Sequence, residues 1–107
     1  MAFKAVFVAH APDADPEKHR CMIETPKYKL FVRVVQDQEQ AVRVCQGLVK
    51  EEGIQSILLC PGFTHKNIAE IAEAVGEEAG VFVARGDGPS SRVTMGVMER
   101  EGLFSKR

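Results

Sequence analysis

YKLFVRVVQDQEQAVRVCQGLVKEEGIQSILLC, residues 28–60, reads as a strand, a helix and a strand in succession. Residues 28–35 (YKLFVRVV), apolar, β-branched or aromatic at six of eight positions, predict a strand. Asp37, with Gln40 three residues on, makes a capping-box pattern, so a helix starts there. Ala41, Val42, Cys45, Leu48 and Val49 then recur at helical spacing, while Gln38, Glu39, Arg43, Gln46 and Lys50 fill the rest of the surface. A helix with one apolar stripe lays that stripe against a sheet. Gly53 supplies the stop, and 54–60 (IQSILLC) is again nearly continuous in apolar residues. Strand, short crossover helix and strand specify a right-handed βαβ unit, and with it a parallel sheet.

The same grammar extends in both directions. Upstream, 3–9 (FKAVFVA) is a short apolar run that predicts the first strand. Asp15-Pro16 reads as an N-cap followed by proline at the first helical position, which predicts a short helix over 16–24, closed by Thr25-Pro26. Downstream, Pro61-Gly62-Phe63 turns the chain, and Thr64 caps a helix whose Ile68, Ile71, Ala72 and Val75 share a face. Gly76 or Gly80 ends that helix, and 81–85 predicts a last strand. The expected architecture is α/β: a small Rossmann-like three-layer sandwich around a mostly parallel four-stranded sheet, with strands in the order 2-1-3-4. From residue 86 the pattern weakens into a Gly/Ser-rich loop, expected to be flexible, and then an apolar tail with Val93, Met95, Val97, Met98, Leu103 and Phe104. Six apolar residues need cover, either on their own domain or on a second subunit.

Composition bounds what such a domain does. At 107 residues the chain is expected to form one domain over 1–107, burying roughly 65% of its unfolded surface without staples. Fourteen basic against fifteen acidic residues, in a chain that is 27% charged, exclude a disordered chain and a general nucleic-acid binder. No stretch approaches the length of a membrane span, so neither nucleic acid nor membrane is expected as a partner. Cys21, Cys45 and Cys60 are odd in number and lack CxxC spacing, which fits a reducing compartment better than a disulfide framework. The N-terminal apolar run stops at His10, too short for a signal peptide, and a cytoplasmic location is expected. The tail makes a homo-oligomer, first of all a dimer, the expected assembly.

In open parallel sheets, ligands bind outside the carboxyl ends of the strands, where helix N-termini present free N–H groups. Those ends carry His10, then Cys60-Pro61-Gly62-Phe63-Thr64-His65, then Arg85-Gly86-Asp87-Gly88. Gly62, Phe63, Thr64, Arg85 and Asp87 are the expected ligand contacts: Gly62 lets backbone approach, the Thr64 helix start offers donors, and Arg85 grips a carboxylate or phosphate with two prongs. His10 and His65 titrate near neutrality and are candidate acid–base groups, and Cys60 beside a helix start is a candidate nucleophile. Plainer roles compete with each of these. Cys60 suits a small buried hydrophobe, His65 a surface or capping residue, and Arg85 a partner for Asp87. His10, Asp13, Asp15, His19, Cys21 and His65 show no metal-ligand spacing, and no cofactor is indicated. Gly86-Asp87-Gly88 opens like a dinucleotide fingerprint, but Ser91 stands where its third glycine belongs. The expected function is therefore binding of a small anionic metabolite. The alternatives are a small lyase, isomerase or hydrolase using a histidine, and an oligomeric interaction module.

The segments Ala11-Pro12-Asp13-Ala14-Asp15-Pro16-Glu17-Lys18-His19-Arg20, Glu24-Thr25-Pro26 and Cys60-Pro61-Gly62-Phe63-Thr64-His65, together with the first strand, resemble a family of short prokaryotic proteins classed as a domain of unknown function. The resemblance runs from about residue 3 to 86 and implies a stand-alone α/β domain; it brings no activity. The family's cysteine-glycine-glycine-phenylalanine turn appears here as Cys60-Pro61-Gly62-Phe63, so proline removes one backbone N–H from the expected anion cradle.

Overall fold

The computed structural model describes residues 1–104. Its elements are β1 (Phe3–His10), β2 (Arg20–Thr25), β3 (Tyr28–Val35), α1 (Gln38–Glu52), β4 (Ser56–Leu59), α2 (His65–Val75), a single 3₁₀ turn (Gly76–Glu78), β5 (Gly80–Val83) and α3 (Gly88–Arg100). They form one sheet in the order β2-β3-β1-β4-β5. β1 runs parallel to both β3 and β4, β4 runs parallel to β5, and only β2 is antiparallel. The expected α/β class with a mostly parallel sheet is thus what the chain adopts. Its four parallel strands stand in the expected order, and β2 adds a fifth at the edge.

Local chemistry accounts for the helices. Asp37 is extended, and its Oδ1 accepts the Gln40 N–H at 2.9 Å. Gln40 Oε1 in turn accepts the Gln36 N–H at 2.8 Å, so the side chain reaches back one residue before the cap. α1 ends at Gly53, whose left-handed backbone (φ 73°) lets its N–H reach the Val49 carbonyl. Thr64 caps α2 in a reciprocal box: the Asn67 N–H donates to Thr64 Oγ1, and the Thr64 N–H donates to Asn67 Oδ1.

The helix expected over 16–24 is a correction. Its start signal operates for one turn only. The Lys18 and His19 N–H groups donate to the Asp15 carbonyl, the Glu17 N–H donates to Asp15 Oδ1, and His19 Nδ1 accepts the Asp15 N–H. From Arg20 the chain is β2, paired with β3 through a tight turn at Pro26-Lys27. A six-residue partner strand with Ile23 and Thr25 fills its hydrogen bonds on a neighbouring edge, a tertiary gain that outweighs a local helix start.

That substitution also decides the layers. The chain passes from β3 through α1 to β4 and from β4 through α2 to β5, moving the same way across the sheet both times. Right-handed crossovers therefore set both helices on one face. There they touch, with Gln38 Nε2 donating to the Asn67 carbonyl and to Glu70 Oε1. A helix between β1 and β3 would have moved the opposite way and supplied the third layer; the β2 hairpin stands in its place. Two layers result. The core lies between α1/α2 and one sheet face, where Val6, Val8, Phe31, Val35, Ile57 and Leu59 meet Ala41, Cys45, Leu48, Ile71 and Val75.

The registers put Phe7, Val32, Leu58 and Phe82 on the opposite face, beside Ile23 and Leu30. Phe82 is 57% and Ile23 59% exposed. The stretch read as a Gly/Ser-rich loop and tail contains α3, whose Pro89 occupies the first turn and whose end is closed by Gly102 (φ 80°). The last part of that tail, 105–107, lies outside the described residues.

Candidate functional site

The strand ends bring part of the expected site together. His10 closes β1 on the core side, half-buried, and its ring stacks on Phe63 with centroids 4.0 Å apart and planes 23° from parallel. Phe63 itself is buried, held in a turn where its N–H donates to the Cys60 carbonyl at 3.2 Å. The Cys60 N–H donates to the Val8 carbonyl, which ties this turn to the end of β1. Gly62 lies between the two groups. A methyl group at its Cα would stand 3.6 Å from His10 Nδ1 and 3.7 Å from Cys60 Sγ. His10, Cys60, Gly62 and Phe63 therefore face one small volume, and Gly86 borders it through Pro61, 3.7 Å from where its own methyl would be.

Other expected site residues are occupied elsewhere. The Thr64 hydroxyl is used by the cap of α2, although the first-turn N–H groups of His65 and Lys66 still point along the helix axis. His65 is exposed on that first turn. Arg85 Nε donates to Asp87 Oδ1 at 2.8 Å, with both side chains in solvent, so the pair is an exposed ion pair of small energetic weight. That bond also explains why Asp87 caps α3 with no side-chain hydrogen bond. His19 is engaged with Asp15. Among the described residues, no three His, Cys, Asp or Glu side chains converge as a metal site. Of the cysteines, Cys21 is exposed, and Cys45 is enclosed in the core, where desolvation pushes its thiol up to about 12.

A second feature escaped the reading of strand ends. α1 and the edge pair β2/β3 flank a cleft of about 400 Å³ lined by Arg20, Arg33, Arg43, Glu17, Glu51 and Glu52 among others. Arg20 and Arg33 are directly opposite in the antiparallel ladder, a like-charge placement that a sheet ordinarily avoids. Arg33 lies over the Phe31 ring at 5.5 Å and donates to the Val32 carbonyl. Burial, then the neighbouring Arg20 charge, lowers its pKa from the usual guanidinium range. With 16–24 read as a helix, no sequence signal placed Arg20 beside Arg33; a strand reading of 20–25 would have shown the pairing.

The family follows from the chain as a whole. The model of a family of unknown function, DUF6506, matches residues 3–98, and the chain belongs to that family. The match runs beyond the end of β5 to take in most of α3, further than the expected limit at 86. No curated protein and no solved structure matches the chain. Among the described residues, no helix is long and apolar enough to cross a membrane.

Proposed function

We propose that this protein binds a small anionic metabolite at the carboxyl ends of β1, β4 and β5. The observation that carries the reading is the cluster around Gly62, where the His10 ring on Phe63 and the Cys60 thiol border one small volume beside the α2 N-terminus. A polar ring closing a buried strand, a glycine and a helix start are the parts that hold a small anion in sheets of this kind. Arg85, tethered to Asp87 through Nε, keeps its two terminal nitrogens for a carboxylate or phosphate. The proposed ligand contacts are Gly62, Phe63 and Arg85, with Asp87 holding Arg85 in place and Thr64 capping the helix whose N-terminus faces the ligand.

The test is thermal unfolding of the full chain against inorganic phosphate and a panel of small carboxylates and phosphate esters. A ligand of the native state stabilises it by about 2.7 kcal/mol at a hundredfold excess over Kd. Arg85→Ala is expected to weaken a hit by about tenfold or more, the range of a charged hydrogen bond. A hit that survives Arg85→Ala but is lost in Arg33→Ala would move the ligand to the Arg20/Arg33 cleft. No hit across the panel would overturn the reading.

A second reading, a small lyase, isomerase or hydrolase, is favoured by one observation: His10 Nδ1 and Cys60 Sγ flank the same point beside Gly62. In that case His10→Ala is to abolish turnover of a stabilising ligand while leaving its affinity within a few fold. His65, exposed on the first turn of α2, is the weaker acid–base candidate. Equal loss of binding and turnover in His10→Ala would reduce the histidine to a contact.

A further inference from the structure

We propose that the uncovered sheet face is the interface of a homodimer, and that α3 of each copy lies across the sheet of the other. Three observations carry this, and none rests on the ligand reading. First, the outer face holds no charge. At every outward position of the five strands the side chain is apolar or small and uncharged, from Cys21, Ile23 and Thr25 on β2 to Gly80 and Phe82 on β5. The core-facing side of the same strands, by contrast, carries Lys4, Arg20, Glu24, Lys29 and Arg33. A water-exposed sheet face ordinarily shows the reverse pattern. Five strands span about 19 Å, and strands of this length make the face about 400 Å² in plan, the scale at which an apolar patch marks an interaction site.

Second, α3 has no extensive packing against the rest of the described chain. None of its residues is buried, and Val93 is 71% exposed. The chain is also looser than its length requires: its radius of gyration is 14.1 Å, where a compact domain of this size has about 13 Å. Yet α3 is fully specified as a helix. Pro89 starts it, and at its end the Leu103 N–H donates to the Met98 carbonyl and the Gly102 N–H to the Glu99 carbonyl, the two bonds of a Schellman stop. Thirteen residues without tertiary packing make a marginal helix in water, so this one is completed by something it packs against.

Third, the two unpartnered surfaces fit each other. At about 100° per residue, Arg92, Glu99 and Arg100 fall within about 100° of the α3 surface; Val93 and Val97 lie together on one flank of that arc, and Met98 and Met95 on the other. The helix is about 20 Å long, matching the width of the face. One chain that carries both a bare sheet and an unsupported helix closes both through a two-fold axis, a reciprocal contact that leaves neither surface over. The helix footprint and the strip of sheet it covers come to about 400 Å² per copy in plan, to which side-chain relief adds accessible area, against the about 800 Å² per partner of a standard interface.

The experiment is light scattering of the full chain and of two full-length double variants, Leu58→Lys/Phe82→Lys on the sheet and Val93→Lys/Val97→Lys on the helix, with circular dichroism to confirm the fold. The wild type is expected at twice 11.8 kDa and each variant at 11.8 kDa. Mixing the two variants restores one of the two reciprocal contacts, the intact helix of one on the intact sheet of the other, and is expected to give more association than either variant alone. If the sheet variant does not fold, Ile23→Lys at the edge of the same face replaces it. A monomeric wild type overturns the proposal. So does a dimer indifferent to the helix variant, since that means that sheets pack on sheets or that another surface is used.

Discussion

Cys45 shows how far a single position is governed by its surroundings. It sits on the apolar stripe of α1, fully enclosed, and burial lifts its thiol from an ordinary 9.0 to about 12. A thiol kept protonated in the fold but free to ionise when unfolded means that the unfolded state binds fewer protons above pH 9. Stability is therefore complete below pH 9 and falls by about 1.4 kcal/mol per pH unit as pH rises from 9 towards about 12. Urea unfolding of wild type and Cys45→Ala between pH 8 and the alkaline limit checks this: the variant is less stable at pH 8 and lacks the cysteine's contribution to the slope. The sequence showed Cys45 as a core residue, because helical spacing is visible in residue names. It could not show which neighbours surround Cys60 or His10. The His10–Phe63 stack joins residues 53 positions apart, and contact at that separation depends on how β1 and β4 align.

At the scale of elements, the same cap signal had two outcomes. Asp37 and Asp15 both begin a turn by accepting a nearby N–H, but only after Asp37 does an apolar stripe follow for the helix to bury. Asp37→Ala is accordingly expected to lower stability by about 1 kcal/mol, the usual value of a lost N-cap, read as a shift in urea midpoint at unchanged slope. After Asp15 the turn stops at His19 and β2 takes over. β1, β3 and β4 were legible as short, nearly continuous apolar runs, and α1 and α2 because apolar residues recur every third to fourth position. The β2 segment was not, because an edge strand exposed at every residue has neither pattern, and its identity depends on a neighbour supplied by β3. α3 was hidden for a related reason: its glycines and serines resemble a loop, and none of its apolar residues is buried to mark a face.

For the whole molecule, the hairpin in place of a crossover helix settles more than the number of layers. It also sets the order in which the chain assembles. β2 and β3 meet across a two-residue turn at Pro26-Lys27, a closure of microseconds, and β1 then needs only a partner some 25 residues on. Pairing β1 with β4 spans 51 residues and must wait for α1 to form. The nucleus is thus expected to consist of β1 and the hairpin, with β4, α2 and β5 added after the barrier. Pro26→Gly should slow refolding several-fold with little change in the unfolding rate, while Ile57→Val should do the reverse. Stopped-flow refolding at several protein concentrations separates these steps from association. In a ribosome-bound chain the same order means that the first half can fold before β4 has emerged, with its uncharged face already formed and exposed while the residues of α3 are still to be synthesised.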